Sequence, residues 1–291
     1  MAQTRELRRR IKSVENTRQI TKTMEMVATS KLKRAQDRVV AARPYAQALA
    51  EVIGELYDPA LAGEFPLLRR PEGAPKRAAL IIVTSNRGLC GAFNGNLIKE
   101  GRRRIAELEA VGAEVELHLV GRKGIGFFRF LGREVATKRQ DIGDRPTPAH
   151  AVELVQQLME RFAAGRLDAV EIVFAKFVSA ISTPPTRLAV LPIVPPAVER
   201  KGHRERFYIL KPSPEGILEA LLPLYVRNQV FRALVETAAS EQGARRTAMK
   251  NATDSAGDII DLLRRTFNRA RQSQITQELA EIVGGAEALK G

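Results

Sequence analysis

Three groups of residues in this 291-residue chain are of the types that do chemistry. The first is the run Ser85, Asn86, Arg87, Gly88, Leu89, Cys90, Gly91, Ala92, Phe93, Asn94, Gly95, which follows an apolar stretch and precedes a helical pattern. Glycines that let a backbone approach closely, followed by a helix N-terminus, have the look of a phosphate-binding turn. The run lacks both the GxGxxG spacing and the P-loop Lys with Ser or Thr, so a structural turn is the favoured reading. Gly121, Gly124 and Gly126 raise the same question, and Phe127 and Phe128 beside them point to core packing. The third group is Cys90 with a histidine as base. His118, His150 and His203 fall in a strand pattern, near a helix start and in a loop, and no spacing unites them with the thiol. No metal-ligand cluster is present and no cofactor is implied.

Charge carries more information. The net charge is +14, and residues 1–43 alone hold 12 Lys/Arg against 4 Asp/Glu, whereas residues 214–291 hold 10 of each. The basic face of Arg5, Arg8, Arg9, Arg10, Lys12, Arg18, Lys22, Lys31, Lys33, Arg34 and Arg38 is a solvated surface by default, open to nucleic acid, anionic lipid or an acidic protein. Exposed ion pairs contribute only about 0 to 1 kcal/mol each, so such charges guide an encounter rather than lock it. With no Trp and 5% aromatics, stacking on nucleic acid is not supported. Near the C-terminus Asn268, Arg269, Arg271, Gln272, Gln274, Thr276, Gln277 and Glu278 surround an apolar seam, where helix solvation and hydrogen bonding to another protein are both open readings.

These residues need long elements to position them. From about Ser213 to Ala288 apolar residues recur at three- and four-residue steps through Leu234, Ala238, Ala248, Ala252, Ile259, Leu263, Phe267 and Ala270, then, after a one-residue slip, Ile275, Leu279, Ile282 and Ala286. Such a helix is on the order of 110 Å long at 1.5 Å per residue, too long to fold back into a globule, so it must lie against something equally long. The partner is the pattern from Thr4 to Leu56, where a strict three-four alternation starting at Leu7 is apolar except at Arg18, Thr21 and Glu25. Ile20, Met24 and Val27 there predict a slip of the stripe by one residue. Pro44 predicts a kink. Ser213, Pro214 and Glu215 read as an N-cap, a first-turn proline and an early acid.

Between the helices the pattern changes. AALIIVTS, VELHLVG, a weaker EVATKRQDI and AVEIVFAKFV read as strands, separated by helices from about Asn94 to Val111, over GIGFFRFLG, and over PTPAHAVELVQQLMERFAAG. This alternation is that of an α/β domain with a mostly parallel sheet. TRLAVLPI and RFYILK predict two further strands, paired antiparallel across the loop of Pro195 and Pro196. The fold class is therefore α/β plus a long antiparallel coiled coil of the terminal helices. Its segments are 1–57 (N-terminal helix), 58–77 (a proline- and glycine-rich linker), 78–212 (α/β domain) and 213–291 (C-terminal helix). Small residues Ala238, Ala239, Gly243, Ala244, Ala248, Ala252, Ser255, Ala256 and Gly257 would let the two helices approach closely, and the last helix outruns its partner by roughly 20 residues, about 30 Å.

The single cysteine forbids an internal disulfide and favours a reducing compartment. The first residues contain no apolar signal region, and no window reaches the roughly 20 apolar residues of a membrane span. A cytosolic or peripheral protein is expected.

IKSVENTRQITKTMEMVATSKLKRAQ, TSNRGLCGAFN and NRARQSQITQELAEIVGGAEAL, in that order, closely resemble the γ subunit family of F-type ATP synthase, the central rotor shaft. The resemblance spans essentially the whole chain. It implies a coiled-coil shaft on a Rossmann-like α/β foot, with no active site of its own, on the cytoplasmic face of the bacterial plasma membrane and associated with it only through the complex. The implied partners are the α3β3 hexamer, the ε subunit and the c ring, and not nucleic acid. The implied β-subunit contacts are Arg271, Gln272, Thr276 and Glu278 at one place. At another they are Met24 with Lys22, Lys31, Lys33 and Arg34 facing an acidic lever. With Cys90 alone, the thiol regulation of photosynthetic members is excluded, and Pro223 is a departure that puts the straightness of the last helix in question. The rival reading is a basic coiled-coil protein bound to nucleic acid or the ribosome. An enzyme built on the α/β domain comes third.

Overall fold

The computed structural model describes residues 2–57, 63–71, 73–194 and 213–288. Two helices carry most of the chain: α1, Ala2–Leu56, continues through Pro44, and α5, Pro214–Ala288, continues through Pro223. Neither ends or restarts at its proline. Ser213 caps α5, its hydroxyl accepting from Gly216 N at 3.1 Å. The chain forms two compact units, Met1–Ala28 with Arg246–Gly291, and Thr29–Arg245. The division between them falls inside both helices.

In the second unit, β1 (Arg77–Val83), β2 (Glu114–Val120), β3 (Thr137–Arg139), β4 (Ala169–Ala175) and β5 (Pro185–Leu191) make one sheet in the order β3-β2-β1-β4-β5. The first four are parallel and β5 is antiparallel to β4. The connections are α2 (Phe93–Ala110), α3 (Arg122–Phe130) and α4 (Pro148–Ala163). The sheet is buried on both faces, which is why β1 reads as a continuous apolar run. Ala79, Ile81 and Val83 face a core built with α4, with Leu49 and Ile53 of α1, and with Leu218, Leu222, Val226 and Val230 of α5. Leu80 and Ile82 face Phe93, Leu97 and Ile105 of α2 and Ile125 and Phe128 of α3. The expected strand 206–211 and the loop of Pro195 and Pro196 lie outside the described residues, as does His203.

The expected linker is partly core. Pro66–Leu68 form a 3-10 turn, Phe65 and Leu68 are buried, and the Arg69 guanidinium donates to Leu167 O at 2.8 Å while lying 5.0 Å from the Phe162 ring. Proline and glycine content alone does not distinguish a free tether from an ordered loop packed into the core. The weak third strand is only the three residues of β3.

In the first unit the helices pair antiparallel. Arg8 lies over the Phe267 ring at 5.7 Å, Glu15 accepts from Arg264 at 2.7 Å, and Thr4 lies 3.3 Å from Gln274. The expected slip on α1 does not occur. Ile20 and Val27 are exposed, while Thr21, Met24 and Glu25 between them are partly buried, so the alternation from Leu7 to Ala28 keeps its register, with polar residues on the seam, except at the exposed Arg18. On α5 the inward stripe is Met249, Thr253, Ala256, Ile260, Leu263, Phe267, Ala270 and Gln274, at alternating four- and three-residue steps. Ile259, expected on it, is 46% exposed and Ile260 is 2%. Two adjacent isoleucines fit the period equally well, and the seam chose the one in phase with Thr253.

Candidate functional site

The candidate phosphate turn is consumed by the fold. Thr84 continues β1, its hydroxyl donating to Val120 O at 2.9 Å and accepting from Gly124 N at 2.9 Å. Arg122 N donates to Asn86 Oδ1 (3.0 Å) and Lys123 N to Ser85 O (3.1 Å), so the first amides of α3 are bonded internally. Gly121 has φ +95°, and a Cβ there would sit 2.1 Å from Thr84 O, so glycine serves the close approach of two loops rather than of a ligand. The amide of Ser85 is likewise taken by Asn94 Oδ1 at 2.9 Å.

Nor is Cys90 poised for nucleophilic work. It is buried, burial being the main cause that pushes its thiol pKa up, and its neighbours are Ser85 and Asn94. His118 Nδ1 meets Thr137 Oγ1 at 3.0 Å, and His150 Nδ1 accepts from Thr147 N to box the start of α4. The three groups are spent on separate tasks.

In doubly wound sheets ligands bind outside the carboxyl ends of the strands, at the point where strand order reverses. That point here, beside β1 and β4, is occupied by α5. Ala175 N donates to Thr237 Oγ1 (3.3 Å), Ser240 Oγ to Ala175 O (3.1 Å) and Phe177 N to Glu236 Oε2 (3.2 Å). A cleft of about 380 Å³ remains beside it, lined by Asn86, Arg87, Arg122, Gln140, Asp144 and Glu241 among others. The place where an enzyme of this architecture holds its substrate is used to anchor a helix.

Beside the cleft, Asp144, in the loop between β3 and α4, gathers both long helices. Lys31 of α1 donates to its Oδ2 (2.5 Å), Gln242 of α5 to its Oδ1 (3.0 Å), and Arg38 of α1 to its carbonyl (3.1 Å). Next to Gln242 on α5, Glu241 pairs with Arg245, one turn further along, at 2.8 Å, and Arg245 donates to Gly88 O at 3.2 Å. Burial is the main cause raising the Glu241 carboxyl above its usual range, with Arg245 pulling the other way. Reading for motifs missed these residues, because their partners are about a hundred positions away. The available signal was the polar run Glu236, Thr237, Ser240, Glu241 and Gln242 inside a stretch read as a small-residue seam.

The residues expected to contact a partner fall in two places. In the first unit, Lys22 is exposed and pairs with Glu25 at 3.4 Å, and Met24 is partly buried. Arg271 and Gln272 are both exposed, Thr276 Oγ1 donates to Gln272 O (3.0 Å), and Glu278 accepts from Gln274 (2.9 Å). Lys22 lines a polar groove with Glu15, Arg18, Gln19, Thr253 and Asp254. Arg271 is 17 positions further along α5 than Asp254, about 25 Å along the axis, so the unit holds two separate surfaces. In the second unit, Lys33 pairs with Asp37 (2.9 Å), Arg34 reaches back to Ser30, and Lys31 is engaged by Asp144. Beyond Gln274 every described side chain of α5 is exposed, including Ile275, Leu279, Ile282 and Val283. Among the described residues no helix is long and apolar enough to cross a membrane, and no group of His, Cys, Asp and Glu is arranged to hold a metal.

The ATP synthase family model matches residues 3–289. An ATP synthase gamma chain of Gemmatimonas aurantiaca is 63% identical over 291 residues and covers all of both chains. Gamma chains of Desulfitobacterium hafniense and Leptospira biflexa are 47% and 44% identical over 290 and 289 residues, again covering essentially the whole of each. Among solved structures, a chain of the Tetrahymena thermophila mitochondrial ATP synthase central stalk and c ring superposes with a TM-score of 0.59 at 26% identity, over 80% of this chain and 99% of that one. A chain of the Euglena gracilis mitochondrial ATP synthase gives a TM-score of 0.66 at 20% identity over 99% and 95%, a likeness of fold. With full-length identity of this order joined to a sheet whose ligand crevice is filled by a helix, the chain belongs to the ATP synthase gamma chain family.

Proposed function

We propose that this chain, a central-stalk rotor subunit of ATP synthase, turns within an α3β3 hexamer and couples rotation of a membrane c ring to the β catalytic sites without catalysing any step itself. The observation that carries the reading is the far end of α5. From Ile275 onward the helix presents Ile275, Leu279, Ile282 and Val283 to solvent, the last two more than 60% exposed, beside the hydrogen-bonding side chains of Arg271 and Gln272. An apolar stripe at helical spacing, outside any core, is what a surrounding protein wall would cover. The shaft acts by binding each β conformation with a different free energy, since a partner that binds all states equally shifts none of them.

Arg271, Gln272, Thr276 and Glu278 are proposed to hydrogen-bond a β-subunit loop, and Met24 with Lys22, Lys31, Lys33 and Arg34 to face an acidic β lever. The domain of 78–212 is proposed to carry the ε subunit and the c ring, at the cytoplasmic face of a bacterial membrane. Two experiments test this. Co-purification with α and β in a three-to-three-to-one assembly is expected, whereas salt-sensitive RNA binding by the free chain would favour the nucleic-acid reading. Replacing Arg271 and Gln272 together by Ala is expected to weaken ATP-driven proton pumping in the reassembled complex while the subunit stays folded. Unchanged pumping would remove these two residues from the site.

A further inference from the structure

Apolar packing resists separation of two elements but does little to set their register, because dispersion and burial are non-directional. The contacts that fix α1 and α5 against the sheet of the second unit must therefore include directional ones. Most of the helices' packing there is apolar: Leu49 and Ile53 of α1 and Leu218 to Leu234 of α5 enter one core, and Ala35 and Val39 meet Val235 and Ala239 in another. Asp144 is the residue on which polar side chains of both helices converge. Its carboxylate takes one donor from each helix, Lys31 at 2.5 Å and Gln242 at 3.0 Å, and its carbonyl takes Arg38 at 3.1 Å. Gln242 is buried at 2% exposure, and the Asp144 side chain is 39% exposed.

The loop that carries Asp144 is itself pinned. Asn86 Nδ2 donates to Gln140 O (2.9 Å) and Ile142 O (3.1 Å), while Asn86 Oδ1 accepts from Arg122 N (3.0 Å). Ile142 is buried in the core beneath it. One asparagine thus ties the loop to the ends of β1 and β2, and one aspartate ties the loop to both helices.

We propose that Asp144 is a positioning residue for torque transfer, latching α1 and α5 to the sheet so that twist applied to the α/β domain enters both helices together. The proposal rests on the rotor reading above. A charged, bidentate acceptor suits the task, because charge-assisted hydrogen bonds are short and roughly twice as strong as neutral ones. Sliding either helix by even one residue, about 1.5 Å, would break its bond to Asp144.

The test is single-molecule. The whole α3β3γ complex is fixed through the hexamer, a probe is attached to the α/β domain of the chain, and rotation is stalled with a nucleotide inhibitor. The width of the angular fluctuation then reports torsional stiffness, while ATP turnover of the same complex reports assembly and catalysis. Asp144→Ala is expected to leave turnover within a factor of two and to widen the angular variance at least twofold. Asp144→Asn, which keeps an acceptor for Gln242 but loses the charge facing Lys31, is expected to fall between it and the wild type. If the Ala chain does not assemble, Gln242→Met, which releases α5 alone, is read in the same way. An unchanged variance in the assembled variant overturns the latch. A wild-type chain that assembles without rotating overturns the rotor reading instead, so the two failures are distinguishable.

Discussion

Thr21 Oγ1 and Thr253 Oγ1 lie 2.8 Å apart across the seam of the first unit, one from each helix. Each hydroxyl is also within reach of a carbonyl on its own helix, Arg18 O at 3.0 Å and Met249 O at 2.8 Å. Two protons therefore serve three possible bonds, and one contact always lacks its hydrogen. Thr253→Val removes one proton and leaves Thr21 to bond Arg18 O, so a loss of about 1 kcal/mol is expected in urea unfolding of the chain. Thr21→Val with Thr253→Val replaces both partners by apolar groups of the same shape and is expected to be near neutral. A double mutant that loses as much as the two singles added together would show that the hydroxyl pair is not coupled.

Gly101 lies on α2 where the helix crosses β1, and a Cβ there would come within 2.5 Å of Ile82 Cδ1. Ile82 is fully buried and has no room to withdraw. Gly101→Ala is expected to destabilise the chain by about 1 to 3 kcal/mol through overpacking, in spite of the better helix propensity of alanine. Removing the obstructing methyl with Ile82→Val should restore part of that loss, so the double variant is expected to be more stable than Gly101→Ala alone. Calorimetric melting of the three chains checks the order.

Much of this was legible. Of the fifteen positions of the three-four alternation from Leu7 to Leu56, all but Arg18 are buried or partly buried, because a buried stripe on a long helix has no other way to be written. Where the reading erred, the cause was the weight given to apolarity. Ile20 and Val27 suggested a slip, yet Thr21 and Glu25 hold the seam, since a hydroxyl with a partner and the stem of a glutamate fill a seam position. Ile259 and Ile260 fit the local period equally, so nothing local to them separates the buried one from the exposed one. The anchoring of α5 at Thr237, Ser240 and Gln242 was out of reach, since Ala175 and Asp144 lie 62 to 98 positions away. Nothing within a helical turn of Gln242 indicates what it bonds.

His118 supplies a pH dependence. It is 5% exposed on β2, and burial is the main cause holding its pKa below the usual 6.5, while Glu116 favours the charged form and Arg161, bidentate to Glu116 at 2.6 and 2.9 Å, opposes it. The unfolded chain therefore takes up this proton before the folded one does. Stability is present above pH 6.5 and is lost as pH falls below that value toward the depressed folded pKa. Urea midpoints at pH 7.5 and 5.5 should show the chain weaker at the lower pH, with the difference reduced in His118→Gln. An equal acid loss in that variant would assign the effect to other groups.

Glu241 and Arg245 form an ion pair whose side chains are each only 11% exposed, and the two members are not equivalent. Removing Arg245 leaves a carboxylate already pushed up by burial without its cation, and breaking a buried pair in this way costs about 3 to 5 kcal/mol. Glu241→Gln leaves a guanidinium that still donates to Gly88 O, so a smaller loss is expected there. The sign with pH follows from the raised carboxyl. A group that holds its proton more tightly when folded than when unfolded becomes a burden as pH rises through its folded pKa, and that burden is greatest once Arg245 is gone. Arg245→Met is therefore expected to lose most at pH 7.5 and appreciably less at pH 5.5, where Glu241 is closer to protonation. In Arg245→Met combined with Glu241→Gln the pH dependence of the loss should disappear, and a penalty for Arg245→Met that is the same at both pH values would mean that Glu241 stays solvated after its partner is removed.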